Sequence, residues 1–404
     1  MTGPLTGFRV VEAGRFASAP SCGTILADWG ADVIKLEPPG GDPARGPGTL
    51  TPGAGPRPAN PRFDVHNRTR RSIVLDLKRP EGRRLARRLI GGSDVFVTNL
   101  RTPALARLGL GSELLRRDHP RLVYAQVTGY GPGDREDLRS YDHGAFWSYS
   151  GMAALFQDES GRPPQPAGGM GDRATGSVLA GAVSAALLAR ERTGRGDHVS
   201  VSLLRTAFWL MASDVADALG RPDRERSTAR HDAPIPTVNC YRCSDGRWLW
   251  LQLMAPERDW ARLLAALDAD WLSADPRFRD GDPALLASAR LDVVETLDEI
   301  FRGRTLAEWS ERLTAAGLTF APVQDLATAV RDRASLDSGA FHEIAAPGGG
   351  YTTVNSPASF ETAGSEPGYP APAPGADTHA VLKEIGVPAD EIARLRQDGV
   401  CGGG

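Results

Sequence analysis

The stretch FRVVEAGRFASAPSCGTILADWGADVIKLE, residues 8–37, decides the fold. FRVVE (8–12) is a short apolar run after Gly7, residues from about Ala19 to Trp29 read as a helix, and ADVIKLE (31–37) reads as a buried strand. Strand, helix and strand in so short a span make a βαβ unit, which favours a parallel sheet. The pattern continues outward. RSIVLDL (71–77) is a strand, and PEGRRLARRLIGG (80–92) is a helix with Pro near its start and Gly at its end. DVFVTN (94–99) is a strand, TPALARLGL (102–110) opens a helix, and LVYAQVTGYG (122–131) is a strand that runs into a glycine-rich turn. This alternation predicts a doubly wound α/β sheet.

Further along, residues 173–192 are rich in Ala, Leu and Val and predict a buried helix bounded by TGRG (193–196). HVSVSLL (198–204) alternates as a strand, and TAFWLMASDVADALG (206–220) reads as a helix. The polar, turn-rich RPDRERSTARHDAP (221–234) marks a domain boundary. PTVNCYRCSDGRWLWLQLM (236–254) predicts a β-hairpin around Ser244-Asp245-Gly246. Amphipathic helices follow to about Ala316, then a return segment FAPVQDLATAV (320–330), a Pro/Gly-rich stretch at 346–376 and a last helical region at 378–397. A chain of 404 residues suggests two domains. The expected plan is a large α/β domain begun by 1–220, a small α+β domain over 225–325, and a return to the large domain over 326–404. The Pro/Gly loop at 38–61 is long enough to be functional or mobile.

Composition narrows the function. A net charge of -3 excludes a generally basic nucleic-acid binder. No apolar run approaches the length of a membrane span, and the N-terminus lacks a signal peptide's charged start and apolar stretch. Four cysteines do not make a disulfide scaffold, so the expectation is a soluble cytoplasmic protein. Lysine occurs only at Lys35, Lys78 and Lys383, the other basic side chains being arginine. That bias reads as codon usage, so arginine alone is no sign of phosphate binding.

Three motifs carry candidate chemistry. Asp172 lies in GGMGDRATG (168–176), where glycines let the backbone approach a ligand and a helix start favours a carboxylate anion. On pattern alone an N-cap aspartate is the commoner reading. Tyr141, Asp142 and His143 precede the aromatics Phe146 and Trp147 and form either a substrate-pocket wall or an aromatic core segment. Sequence neighbours on regular structure point different ways, so they are no ready-made dyad. The lone pair Cys240 and Cys243 lacks the further ligands of a zinc site. GGDPARGPG (40–48) and GYGPGD (129–134) satisfy neither the P-loop nor the dinucleotide fingerprint.

Taken together, LTGFRVVEAGRFASAPSCGTILADWGADVIKLEPPGGDPARG (5–46), NRTRRSIVLDLKRPEGRRL (67–85), GGMGDRATG and ERTGRGDHVSVSLL (191–204) resemble the family III CoA-transferases. That group includes formyl-CoA transferase, carnitine CoA-transferase and α-methylacyl-CoA racemase. The resemblance covers nearly the whole chain and implies an interlocked homodimer of Rossmann-like large domains, each with a small domain. It implies coenzyme A as substrate, with no metal and no redox cofactor. Asp172 matches the nucleophilic aspartate, a carboxylate that needs no general base at neutral pH. The CoA site carried over comprises Phe16, Ala17, Ser18, Leu75, Lys78, Asn99, Leu100, Arg107 and Arg139, with the three cations facing phosphates. Tyr141, Asp142, His143, Phe146 and Trp147 would form the substrate pocket.

The resemblance has departures. Formyl-CoA transferase carries glutamine where Ala17 stands and arginine where Pro38 stands, which argues against a formyl or oxalyl substrate. The aromatic segment suits larger 2-hydroxy, aryl or branched acids. An acyl-CoA racemase on the same fold is the alternative, but its histidine falls where Tyr141 stands. A CoA- or acyl-thioester-binding homologue redirected in a biosynthetic pathway is the third reading.

Overall fold

Valine and isoleucine runs with few polar interruptions suit strands covered on both faces, and they form a single large sheet. In this computed structural model, which describes residues 3–46, 60–158, 160–222, 229–346, 349–365 and 368–402, six strands run parallel. They are β1 (Arg9–Ala13), β2 (Asp32–Glu37), β3 (Arg71–Leu75), β4 (Val95–Thr98), β5 (Val123–Thr128) and β6 (His198–Ser202). Their order is β3-β2-β1-β4-β5-β6, with the short strand Cys401–Gly402 antiparallel on the β3 edge. Val11 pairs with Ile34 on one side and Phe96 on the other. The order reverses between β1 and β4, and such a switch point leaves a crevice beyond the strands' carboxyl ends.

Each sheet face has its own core. Val11, Ile34, Ile73 and Phe96 pack with Leu85, Leu89 and Ile90 of α2 (Pro80–Gly91), and with Val381, Leu382, Ile392 and Leu395 from the C-terminal helices. Val10, Val33, Val95, Val97 and Val127 pack with Ile25 and Leu26 of α1 (Ser18–Asp28) and with Leu179, Val183 and Leu187 of the helix Met170–Thr193. The chain forms two compact units, one of residues 1–154, 164–220 and 336–404, the other of 155–163 and 221–335. In the second, strands β7 (Val238–Arg242), β8 (Trp248–Gln252) and β9 (Phe320–Val323) form an antiparallel sheet. Trp260, Phe301 and Trp309 anchor its core.

Several sequence expectations shift. The hairpin around Ser244-Asp245-Gly246 forms, but FAPV (320–323) stays in the second unit because it completes that sheet. The return to the first unit therefore comes at Leu336 rather than 326. The expected helix over 206–220 is broken at Met211. Within 346–376, Tyr351–Val354 pairs antiparallel with Phe341–Ile344. Of the expected 38–61 loop and polar boundary, 47–59 and 223–228 lie outside the described residues. Among the described residues, no helix is long and apolar enough to cross a membrane.

Candidate active site

The loop after β1 carries the first part of the site. Phe16 has φ 61°, a left-handed conformation that a bulky side chain adopts only when its surroundings impose it. The backbone on either side of Phe16 is held by Asn99, which follows β4 across the switch point. Its Oδ1 accepts the Arg15 N–H at 3.0 Å, while Nδ2 donates to the Arg15 carbonyl at 2.8 Å and to Ser18 Oγ at 3.0 Å. The Ser18 hydroxyl in turn lies beside the Asp172 carboxylate and favours its charged form.

Asp172 sits in the first turn of α3 (Met170–Thr193), and the N-cap is Gly169 with φ 72°. The simple N-cap reading of Asp172 is therefore wrong. Two helical glycines set its position. A Cβ on Gly176 would lie 2.6 Å from the Ser18 carbonyl oxygen, and a Cβ on Gly171 would lie 2.3 Å from Phe146 Cγ. Their bare backbones let α3 pack tightly against α1 and Phe146, which brings Asp172 to Ser18. Burial first, and the Asp142 carboxylate second, push the Asp172 carboxyl up to about 6, while Arg173, Ser18 and His143 pull it back.

Asp142 opens a π-helical turn, Asp142–Ser148, a wide geometry often found at functional sites. His143 Nδ1 lies 3.5 Å from Asp142 Oδ1, so these sequence neighbours do meet, contrary to the expectation from regular structure. Asp142 is buried and His143 is exposed.

A cavity of 1220 Å³ opens at the switch point. Phe16, Ser18, Lys78, Asn99, Leu100, Arg107, Arg139, Tyr141 and Asp172 all line it. Lys78, Arg107 and Arg139 are exposed there, and among the described residues none of them is in an ion pair. Phe16 and Tyr141 meet edge to face, with ring centroids 6.0 Å apart. The other expected site residues are placed differently. The Ala17 side chain is buried, and Leu75 lies fully inside the core opposite Cys401. Phe146 and Trp147 are buried as well, and neither they nor Asp142 and His143 are on the cavity wall.

Arg15, Arg101 and Leu203 line the cavity and were missed from the sequence. For Arg15 and Arg101 a signal existed, since both follow the carboxyl ends of the switch-point strands. The general excess of arginine hid it.

These features have counterparts in known proteins. The chain is 30% identical over 398 residues to the (R)-2-hydroxy-4-methylpentanoate CoA-transferase of Clostridioides difficile, covering 98% of this chain and 99% of that one. It is 31% identical over 411 residues to the cinnamoyl-CoA:phenyllactate CoA-transferase of Clostridium sporogenes, covering 98% and 97%. The crystal structure of a CaiB/BaiF family protein from Brucella suis superposes with a TM-score of 0.82 at 26% identity, covering 95% of this chain and 100% of that one. The family model for CoA-transferase family III matches residues 5–378, a span that takes in the βαβ unit, the switch-point loops and the aspartate of GDRATG, and the chain belongs to that family.

Proposed function

We propose that this protein moves CoA from an acyl-CoA donor to a carboxylic-acid acceptor, with Asp172 as nucleophile. The observation that carries the reading is the Asp172 carboxylate, half-buried, beside Ser18 and facing a cavity edged by Lys78, Arg107 and Arg139. The carboxylate attacks the thioester carbonyl, CoA leaves as thiolate, and a mixed anhydride forms. The thiolate attacks the aspartyl carbonyl, giving aspartyl-CoA and the free donor carboxylate. The acceptor carboxylate attacks aspartyl-CoA, forming a second anhydride and releasing thiolate. The thiolate then takes the acceptor acyl group and restores Asp172. Each step exchanges one acyl bond for another, and no net proton or electron is consumed.

Each tetrahedral intermediate needs donors for its oxyanion. The N–H groups of Gly171 and Asp172 are candidates, because in this first helical turn they have no acceptor among the described residues. Lys78, Arg107 and Arg139 would bind the CoA phosphates. The acyl group would rest on Phe16, Leu138, Tyr141 and Leu203, whose apolar surfaces suit a branched or aryl acid. The two CoA-transferases compared above are named for acids of that kind. An interlocked homodimer is part of the proposal. Val178, Leu188, Phe208, Trp209 and Leu210 are exposed on adjacent helices and would be covered by a second chain.

Intact-protein mass spectrometry with a panel of branched, aryl and dicarboxylic acyl-CoAs tests the reading. A mass gain of one CoA or one acyl group, absent in Asp172→Ala, is expected. No adduct with any donor, while CoA still binds, would overturn it. The contact between Asp142 and His143 beside Asp172 keeps a racemase as the second reading, and α-proton exchange into deuterated water without an adduct would select it.

The pH profile is a further check. Asp172 must be ionised to attack, so single-turnover acylation should be flat at neutral pH. Below about 6 it should fall roughly tenfold per pH unit. Asp142→Asn removes a charge that raises Asp172 and should move the break downward. A break at the ordinary carboxylate value near 4 in the unmodified protein would contradict the buried setting.

A further inference from the structure

Lys35 lies in the middle of β2 and is 1% exposed. A buried ammonium needs partners in place of its lost hydration. Its Nζ is 3.0 Å from Asp42 Oδ2 and 3.3 Å from Glu12 Oε2, and it donates to the Gly14 carbonyl at 3.3 Å. These partners come from two separate segments. Glu12 and Gly14 lead into the loop before α1, and Asp42 belongs to the turn after β2. Asp42 extends the link, because its Oδ1 accepts the Ala44 N–H at 3.0 Å and the Phe16 N–H at 3.5 Å. Both segments line the cavity, through Gly14 and Phe16 on one side and Pro38, Gly41 and Pro43 on the other.

We propose that Lys35, acting through Asp42, is a positioning residue that ties these two lips together and holds Phe16 in place, so that the cavity mouth is formed before acyl-CoA arrives. The inference rests on reading the cavity as the acyl-CoA site. Preformed loops bind more tightly because less ordering remains to be done on binding. Removing the ammonium mainly affects Asp42, since Glu12 keeps Arg70 Nη1 at 2.6 Å.

The test uses the full chain with Lys35→Met, Asp42→Asn and the double variant. Free CoA binding is measured by calorimetry. KM and kcat are measured with the donor that gives the adduct, normalised to the fraction of protein that forms it. Each single change is expected to raise the Kd for CoA and the KM about tenfold, with kcat per active site within about twofold of the unmodified protein. The double variant should be no worse than the stronger single, because both changes break one contact. An unchanged Kd, additive effects in the double variant, or a smaller active fraction with unchanged KM would overturn the proposal. If Lys35→Met does not fold, Asp42→Asn alone decides by the same Kd and KM criteria. An unmodified chain that binds no CoA would overturn the site reading itself, and this inference with it.

Discussion

Asp172→Asn is expected to lower the transferase kcat by at least about 10³-fold, because the proposed covalent route runs through this carboxylate and knockouts of a nucleophile commonly cost this much or more. Binding of CoA should change little, since Lys78, Arg107 and Arg139 are untouched. The same variant should be more stable. Burial and Asp142 hold the Asp172 carboxyl at about 6, above its unfolded value of 3.8. The folded state therefore binds that proton more tightly than the unfolded state, and ionised Asp172 opposes folding at neutral pH. A neutral amide removes that opposition, which is worth about 1–3 kcal/mol at pH 7. The gain should vanish as pH falls toward 4, where the native carboxyl is protonated. Steady-state kinetics and thermal melts at pH 7 and pH 4 check both halves. A variant that is inactive and also less stable would mean that the carboxylate is a structural anchor.

The second large effect is expected at Gly176. Its missing Cβ is what allows α3 to meet the Ser18 carbonyl, Ser21 and the Cys22 N–H. Two of those contacts are backbone atoms and cannot rotate aside. Gly176→Ala must push α3 from α1, at an overpacking cost of about 1–3 kcal/mol. The same displacement moves Asp172 away from Ser18, and a shift of about 1 Å in a reacting group costs on the order of 10²-fold in rate. Acylation rate and melting temperature should both fall, while CoA affinity changes less. By contrast, a Cβ on Gly181 meets nothing within 4 Å in this chain, so Gly181→Ala should leave α3 seated on α1 and the acylation rate of the folded protein unchanged. Wild-type acylation in Gly176→Ala would show that the helix contact does not position the nucleophile.

The parallel sheet was legible because Val, Ile and helix-capping glycines repeat at regular intervals along 8–128, and local patterns suffice for βαβ units. Of the residues expected at the site, Asp172, Phe16 and the three cations line one cavity. What could not be read depends on non-local packing. Gly171 reads as a turn glycine before a helix and Gly176 as one small residue within it, whereas both make room for groups distant in sequence. Phe146 and Trp147 read as a pocket wall, but the π-helical turn carries them inward. Lys35 was only a rare lysine in an apolar strand, because Asp42 becomes its partner only once β2 and its following turn are folded. Asn99 lines the cavity, and its amide bonds besides to Arg15 and Ser18, a bracing that only the folded switch point brings about.

The antiparallel strand Cys401–Gly402 closes the β3 edge, pairing Cys401 with Leu75. The face below β3 likewise waits for Val381, Leu382, Ile392 and Leu395. On a ribosome, those groups emerge on the order of tens of seconds after β3 at ordinary elongation rates. Throughout that interval the nascent chain carries an open strand edge and an uncovered apolar face, the two features that invite pairing with other chains. The second unit, with its own core, is free to close meanwhile. Synthesis order therefore makes the first-made sheet the last to be completed, and chaperone shelter matters most for the segment that bears the nucleophile's scaffold.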